Sequence, residues 1–128
     1  MDPNVNALFD GRNFATLATI NPDGSPQATV LWVLRDGDAL LFSVLSGRKK
    51  ARNVARDPRV TVTVHDETNP YVSAEVRGTA ELRPDPAKGL PVELSRKYLG
   101  VDPPNESDDE TRLIIRVTPT TVHYAALA

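Results

Sequence analysis

The chain has 128 residues, of which 40% are hydrophobic and 25% charged, with a net charge of −2 and no cysteine. That length suits a single domain, residues 1–128, able to bury about two-thirds of its unfolded surface, and the balance of apolar and charged residues is that of a globular chain rather than a disordered one. The missing cysteines exclude a disulfide framework, a thiolate nucleophile, an iron–sulfur cluster and a cysteine-built zinc site, while the slightly acidic charge argues against general affinity for nucleic acid.

Met1-Asp2-Pro3-Asn4 shows no basic stretch leading into an apolar run, so no secretory signal is expected. The longest apolar stretches, Val30–Leu34 and Ala39–Leu45, are far short of the ~20 residues that span a bilayer. A soluble protein of the reducing cytoplasm is the expectation.

Strand signals then follow one another. Phe14–Ile20 is short, apolar and threonine-rich, and runs into the turn Asn21-Pro22-Asp23-Gly24. Gln27–Leu34 is a second strand, Arg35-Asp36-Gly37-Asp38 turns the chain, and Ala39–Val44 is a third, apolar enough to be covered on both faces. Joined by two tight turns, these three read as a meander. Ser46 is placed to cap a short helix over Arg48–Arg56, which Pro58 stops.

Arg59–His65 alternates, with Val60, Val62 and Val64 on one face; Tyr71–Arg83 does the same, with Val72, Ala74, Val76, Gly78, Ala80 and Leu82 on one face. On the other face Glu75 and Glu81 lie with Arg77 and Arg83, which reads as cross-strand ion pairing. Pro84–Glu110 breaks the pattern with a helix near Gly89–Tyr98 and a polar loop, and Thr111–Tyr124 is a last strand in which Pro119 marks a bend or a change of partner. Six strands with two or three short helices make a mainly β fold, a small barrel or closed sheet.

The most informative segment is Arg48 to Arg59, which holds six of the fifteen basic residues and a single acid, Asp57. On a helix Arg48, Arg52 and Arg56 are spaced by four and repel, at about 0.2–0.5 kcal/mol per pair, and positive charge in the first turn opposes the helix dipole. Free amides at the helix start, with Arg48 and Lys50, would form a phosphate cradle; a solvated basic face is the plainer reading of the same charges. Trp32, the only tryptophan, is either a flat surface for a planar ligand or an ordinary core aromatic. His65 and His123 lack metal-ligand spacing, and no serine sits in a nucleophile elbow. Any redox chemistry would therefore belong to a bound cofactor.

Ala15–Ile20, Pro22-Asp23-Gly24-Ser25-Pro26-Gln27, the run Arg48 to Arg59 and Glu75–Ala80 together resemble the pyridoxamine phosphate oxidase-like family of split-barrel flavin and deazaflavin proteins. Asn69-Pro70-Tyr71 and Lys97–Asp102 look most like its branch that uses the deazaflavin coenzyme F420. The resemblance implies a six-stranded split β-barrel that forms a homodimer, with a cofactor in each of two grooves between protomers. It implies that Arg48, Lys50 and Asn53 lie near the cofactor phosphate with Ser43 beside them, that Gln27, Thr29, Val30, Leu31 and Trp32 run along the ring system, and that Tyr71 approaches from the partner chain.

The implied activity is hydride transfer from reduced F420 to an unsaturated small organic molecule. The alternatives are an oxidoreductase of the same fold using flavin mononucleotide (FMN), or a cofactor-binding protein without turnover. Two departures stand out. The C-terminal stretch Thr118–Ala126 lacks the arginine and histidine that hold substrate phosphate in true pyridoxamine phosphate oxidases, and Pro103-Pro104-Asn105-Glu106 is a polar stretch outside the family pattern.

Overall fold

The computed structural model describes residues 1–107 and 109–127. Its elements are α1 (Pro3–Asp10), β1 (Ala15–Ile20), β2 (Pro26–Leu31), β3 (Leu34–Asp36), β4 (Ala39–Leu45), α2 (Lys49–Arg56), β5 (Arg59–His65), β6 (Val72–Pro84), α3 (Gly89–Leu99) and β7 (Arg112–Ala126). No helix among the described residues is long and apolar enough to cross a membrane.

All seven strands pair antiparallel in the order β2-β1-β5-β6-β7-β4-β3. The ladders stop at β2 on one side and β3 on the other, yet these two outer strands are consecutive in the chain. Only Trp32 and Val33 separate them, so their ends lie no more than about 11 Å apart. The sheet therefore curls until its edges meet at one corner and stays unladdered elsewhere, a split-barrel-like form.

This corrects two expectations. The predicted second strand ends early, its last residue becoming the start of β3, so there are seven strands rather than six. The first three predicted strands are not a meander either: β2 pairs with β1 alone, and β3–β4 form a hairpin at the far side of the sheet. Tight turns identify hairpins, but the break at Trp32-Val33 carries the chain from one edge of the sheet to the other instead of alongside itself.

The inward faces are those the alternation marks. Leu17, Val62, Val76, Leu40, Phe42, Ile115 and Val117 are fully buried in one cluster. Helix α1, which the sequence reading did not place, plugs this core with Val5, Leu8 and Phe9. Its signal was present in Asp2-Pro3: Asp2 accepts from the Asn4 amide at 2.7 Å as N-cap and Pro3 opens the helix.

A second cluster lies outside the barrel wall, where Leu90, Leu94 and Tyr98 of α3 cover Trp32, Leu34, Leu41 and Ile114. Strand β4 thus has both faces covered, as its apolar run requires. Gly100, at φ 76°, ends α3 by donating to Ser95 and Arg96 carbonyls at 3.1 and 3.0 Å.

Strand β7 passes Pro119 without stopping. There the register with β6 shifts, Arg77 facing Thr121 and Gly78 facing Pro119, and Thr120 is the extra residue of a bulge. A Cβ on Gly78 would lie 2.3 Å from the Thr118 carbonyl oxygen, so the close approach needs glycine. Beyond Val117, β7 has left β4 behind and pairs with β6 alone. The Glu75–Arg77 and Glu81–Arg83 pairs are also not cross-strand: each joins residues two apart on β6, at 2.8 and 2.6 Å.

Candidate functional site

The C-terminal end of β4 leads directly into α2 through Ser46-Gly47, with the Arg48 amide donating to the Leu45 carbonyl at 3.0 Å. The expected Ser46 cap does not form. Arg48 occupies the N-cap position in extended conformation, with no side-chain hydrogen bond to the helix start. A chain that leaves the first helical amides uncapped leaves a partial positive charge at that end.

The side chains add to it. Among the described residues no carboxylate pairs with Arg48, Lys49, Lys50, Arg52 or Arg56. Arg52 and Arg56 donate to the Gly47 and Ile20 carbonyls. Lys50 is half-buried, and burial, with the like charge of Arg48, pulls its ammonium below the ordinary lysine range. Asp57 is held at about 2 by hydrogen bonds from Arg59, so the segment's one acid is ionised but spoken for. The start of α2 has the donors and the surplus charge of an anion site.

Asn53 lies at the same helix but is 1% exposed and fully engaged. Its amide donates to Thr19 Oγ1 and Asn21 Oδ1, both at 3.0 Å, and its oxygen accepts from Arg56 at 3.2 Å. Thr19 donates to Gln27 Oε1 at 3.2 Å and Gln27 to Thr29 Oγ1 at 2.9 Å. Gln27, Thr29 and Asn53 thus form one inward polar chain that ties α2 to β1 and β2. Leu31 shares that face, whereas Val30 points outward and is 63% exposed.

Trp32 and Ser43 meet elsewhere, in a cleft of about 830 Å³ between β4, the start of α3 and residues 102–106. Pro86, Pro91, Val92, Pro103 and Pro104 form its apolar walls, and Lys88, Glu106 and Arg112 its charged end. The Ser43 hydroxyl is buried without any hydrogen-bond partner. This cleft adjoins the α2 start, because Arg112 sits opposite Leu45 in the β4–β7 ladder and Ser46 donates to the Thr111 carbonyl at 2.9 Å.

Trp32 is held in place from behind. Its ring stacks on Tyr98 at 5.2 Å and 6°, and Phe14 stacks near Tyr98 at 5.8 Å and 19°. Tyr98 donates to the Asn13 carbonyl at 2.7 Å and accepts from the Val33 amide at 3.2 Å. Beside it Lys97 donates to the Phe9 and Val33 carbonyls and lies 4.8 Å from the Tyr98 ring centroid. Burial lowers Lys97 to about 8 and raises Tyr98. The sequence reading quoted these residues only as part of a resemblance; their spacing in sequence from Trp32 hides the contact.

Tyr71 stands apart from all of these. It is 62% exposed at the start of β6, with its backbone tied to Asn69 and Leu127. No group of three or more His, Asp or Glu among the described residues could hold a metal, and His65 lies exposed on the polar face of β5.

Comparisons with known proteins bear on this arrangement. The family model of pyridoxamine 5'-phosphate oxidase matches residues 1–126. Among solved structures, an F420 reductase is 35% identical with a TM-score of 0.88, over 96% of this chain and 98% of that one. A conserved hypothetical protein from Mycobacterium tuberculosis (22% identical, TM-score 0.80, 98% and 84% covered) and General Stress Protein 26 from Bacillus anthracis (19%, 0.72, 95% and 91%) share the fold.

Proposed function

The chain belongs to the pyridoxamine 5'-phosphate oxidase family, and from that premise we propose that it is an oxidoreductase that binds reduced coenzyme F420 and reduces an unsaturated small organic molecule. The observation that carries this reading is the uncapped start of α2, with cations that form no ion pair with a carboxylate among the described residues. One phosphate needs two or three donors; the deazaflavin carries a phosphodiester and a polyglutamate tail, which a longer run of positive charge suits. The F420 reductase likeness at 35% identity supports the same choice.

The residues present fit the group. Arg48, Lys50 and the first amides of α2 would hold its phosphate, the unpartnered Ser43 hydroxyl would gain a partner, and the β2 segment ending at Trp32 would flank the ring. Asn53, Gln27 and Thr29 act one step back, fixing α2 against β2 through their hydrogen-bond chain. What the cofactor supplies when bound is a hydride, which an acceptor's double bond takes up together with a proton from water. The protein's share is to place the acceptor against the ring.

A homodimer of a cytoplasmic protein completes the proposal: exposed Val30 and Tyr71 belong to surfaces that a second copy would cover. Flavin mononucleotide is the second reading, since the family match and the same cradle accommodate its single phosphate. The test is a fluorescence titration with oxidised F420 and with FMN, on the natural chain and on the variant carrying Arg48→Ala and Lys50→Ala. Preferential F420 binding, weakened tenfold or more in the variant, is expected. Preference for FMN replaces the cofactor; unchanged affinity in the variant removes the phosphate assignment. Binding without oxidation by any acceptor in a broad panel reduces the protein to a carrier.

A further inference from the structure

Lys88 is the only non-glycine residue with positive φ among those described, at φ 54° and ψ 39°. A side chain in that left-handed region is disfavoured relative to a right-handed one, and such strain persists where the surroundings impose it, often at ligand clamps. Capping is not the reason. The first amides of α3 are taken by Asp85, whose carboxylate accepts from Gly89 and Leu90 at 3.0 Å each. What the strained backbone does achieve is to set the Lys88 ammonium at the charged end of the cleft, where it donates to the Ser107 carbonyl at 2.8 Å and lies 3.6 Å from Glu106.

The ion cluster there is uneven among the described residues: Lys88 and Arg112 share the carboxylate of Glu106, and Arg112 holds that carboxylate below the usual range by hydrogen bonding. Asp102, on the same wall, is taken up by Arg96 at 2.5 Å. Two half-buried cations that share one carboxylate therefore line the same cleft as proline and valine side chains and the indole of Trp32, already immobilised by its stack on Tyr98. Rigid apolar walls and a fixed indole favour a flat molecule, since little ordering entropy remains to be lost on binding. The cationic end favours a negative group on it.

We propose that this cleft takes the hydride acceptor and that the acceptor is a planar unsaturated organic acid, its carboxylate directed to Lys88 and Arg112 and its conjugated portion lying against Trp32. The inference rests on the oxidoreductase reading and names the substrate class of that site. The stretch Pro103-Pro104-Asn105-Glu106, which departs from the family pattern, supplies one wall and the shared carboxylate, so the acid preference is a property of this chain.

Trp32 is the only tryptophan, so its fluorescence reports the cleft without any turnover. The experiment titrates the full chain with 4-nitrobenzoate and with 4-nitrobenzyl alcohol, two flat quenchers that differ in charge. The acid is expected to quench saturably and to bind at least tenfold tighter than the alcohol. Lys88→Gly, which suits the left-handed backbone and so should fold at least as stably, is expected to bring the two within about twofold. Lys88→Arg should keep the preference.

Equal affinities in the natural chain, an acid preference that survives Lys88→Gly, or no saturable quenching overturns the assignment. F420 titrated into the same proteins separates the two readings. Intact cofactor binding with no acid preference sinks this inference alone, whereas acid preference without cofactor binding sinks the F420 reading and leaves an acid-binding cleft.

Discussion

The two helices that border the candidate site treat their positive charges in opposite ways. Around α3 every cation is answered: Arg96 by Asp102, Lys88 and Arg112 by Glu106, and Lys97 by two carbonyls and an aromatic face. Around the start of α2, Arg48, Lys49 and Lys50 form no ion pair with a carboxylate among the described residues, Asp23 feeling the charge of Lys49 only at longer range, and the helix start has no side-chain cap. Paired charge holds the architecture together, while charge left unpaired at the cost of mutual repulsion is available to a ligand. The cleft at Lys88 lies between the two regimes, paired but with two cations sharing one carboxylate.

The sharpest way to break that contrast is to remove one arginine from each helix's surroundings. Arg112→Ala leaves Glu106 half-buried without its bidentate partner and is expected to cost about 1–3 kcal/mol of stability. Arg48→Ala relieves a repulsion and is expected to leave stability within about 0.5 kcal/mol of the natural chain, or to raise it slightly. Urea unfolding of both variants decides the matter. An equal loss in the two would mean that the α2 charges are structural after all.

A pH-dependent effect concerns Lys97. Its folded-state value near 8 lies below the ordinary 10.5 because burial disfavours the charge. Between those two values the unfolded chain keeps a proton that the folded chain has released, so the free energy of unfolding rises with pH across the window. Relative to Lys97→Met, the natural chain should gain stability from about pH 8 to pH 10.5 and level off above it. Tyr98 titrates in both proteins and largely cancels. A flat difference would show that the ammonium is better solvated than its contacts with Phe9, Val33 and Tyr98 imply.

The smallest effect belongs to the exposed pairs on β6. Glu75→Gln separates the charges of a solvated Glu75–Arg77 pair and should change stability by no more than about 0.5 kcal/mol. A larger loss would place that face of the sheet against something, and a second copy of the chain would be the first candidate to examine by sedimentation.

Much of this was legible in the sequence because it depends on local pattern. The alternation in Arg59–His65 and Tyr71–Arg83 set which valines face the core, since a strand has only two faces. The concentration of cations at Arg48–Arg59 marked the cation-rich start of α2, because charge repulsion four residues apart is a property of neighbours in the chain. Motifs spread in order along nearly the whole chain carried the family resemblance. What sequence could not supply was which strands meet: the Asn21–Gly24 and Arg35–Asp38 turns look alike, yet they build hairpins at the two edges of the sheet, which Trp32 and Val33 join.

The tertiary structure alone placed Tyr98 behind Trp32, buried Asn53 among its partners and gathered Lys88, Glu106 and Arg112 around one cleft. Those contacts join residues 66, 34 and 32 positions apart, or three segments at once. Local periodicity carries no information about such meetings. They are fixed by how the curled sheet brings distant segments into the same small volume, and the chemistry of the site depends on that closure.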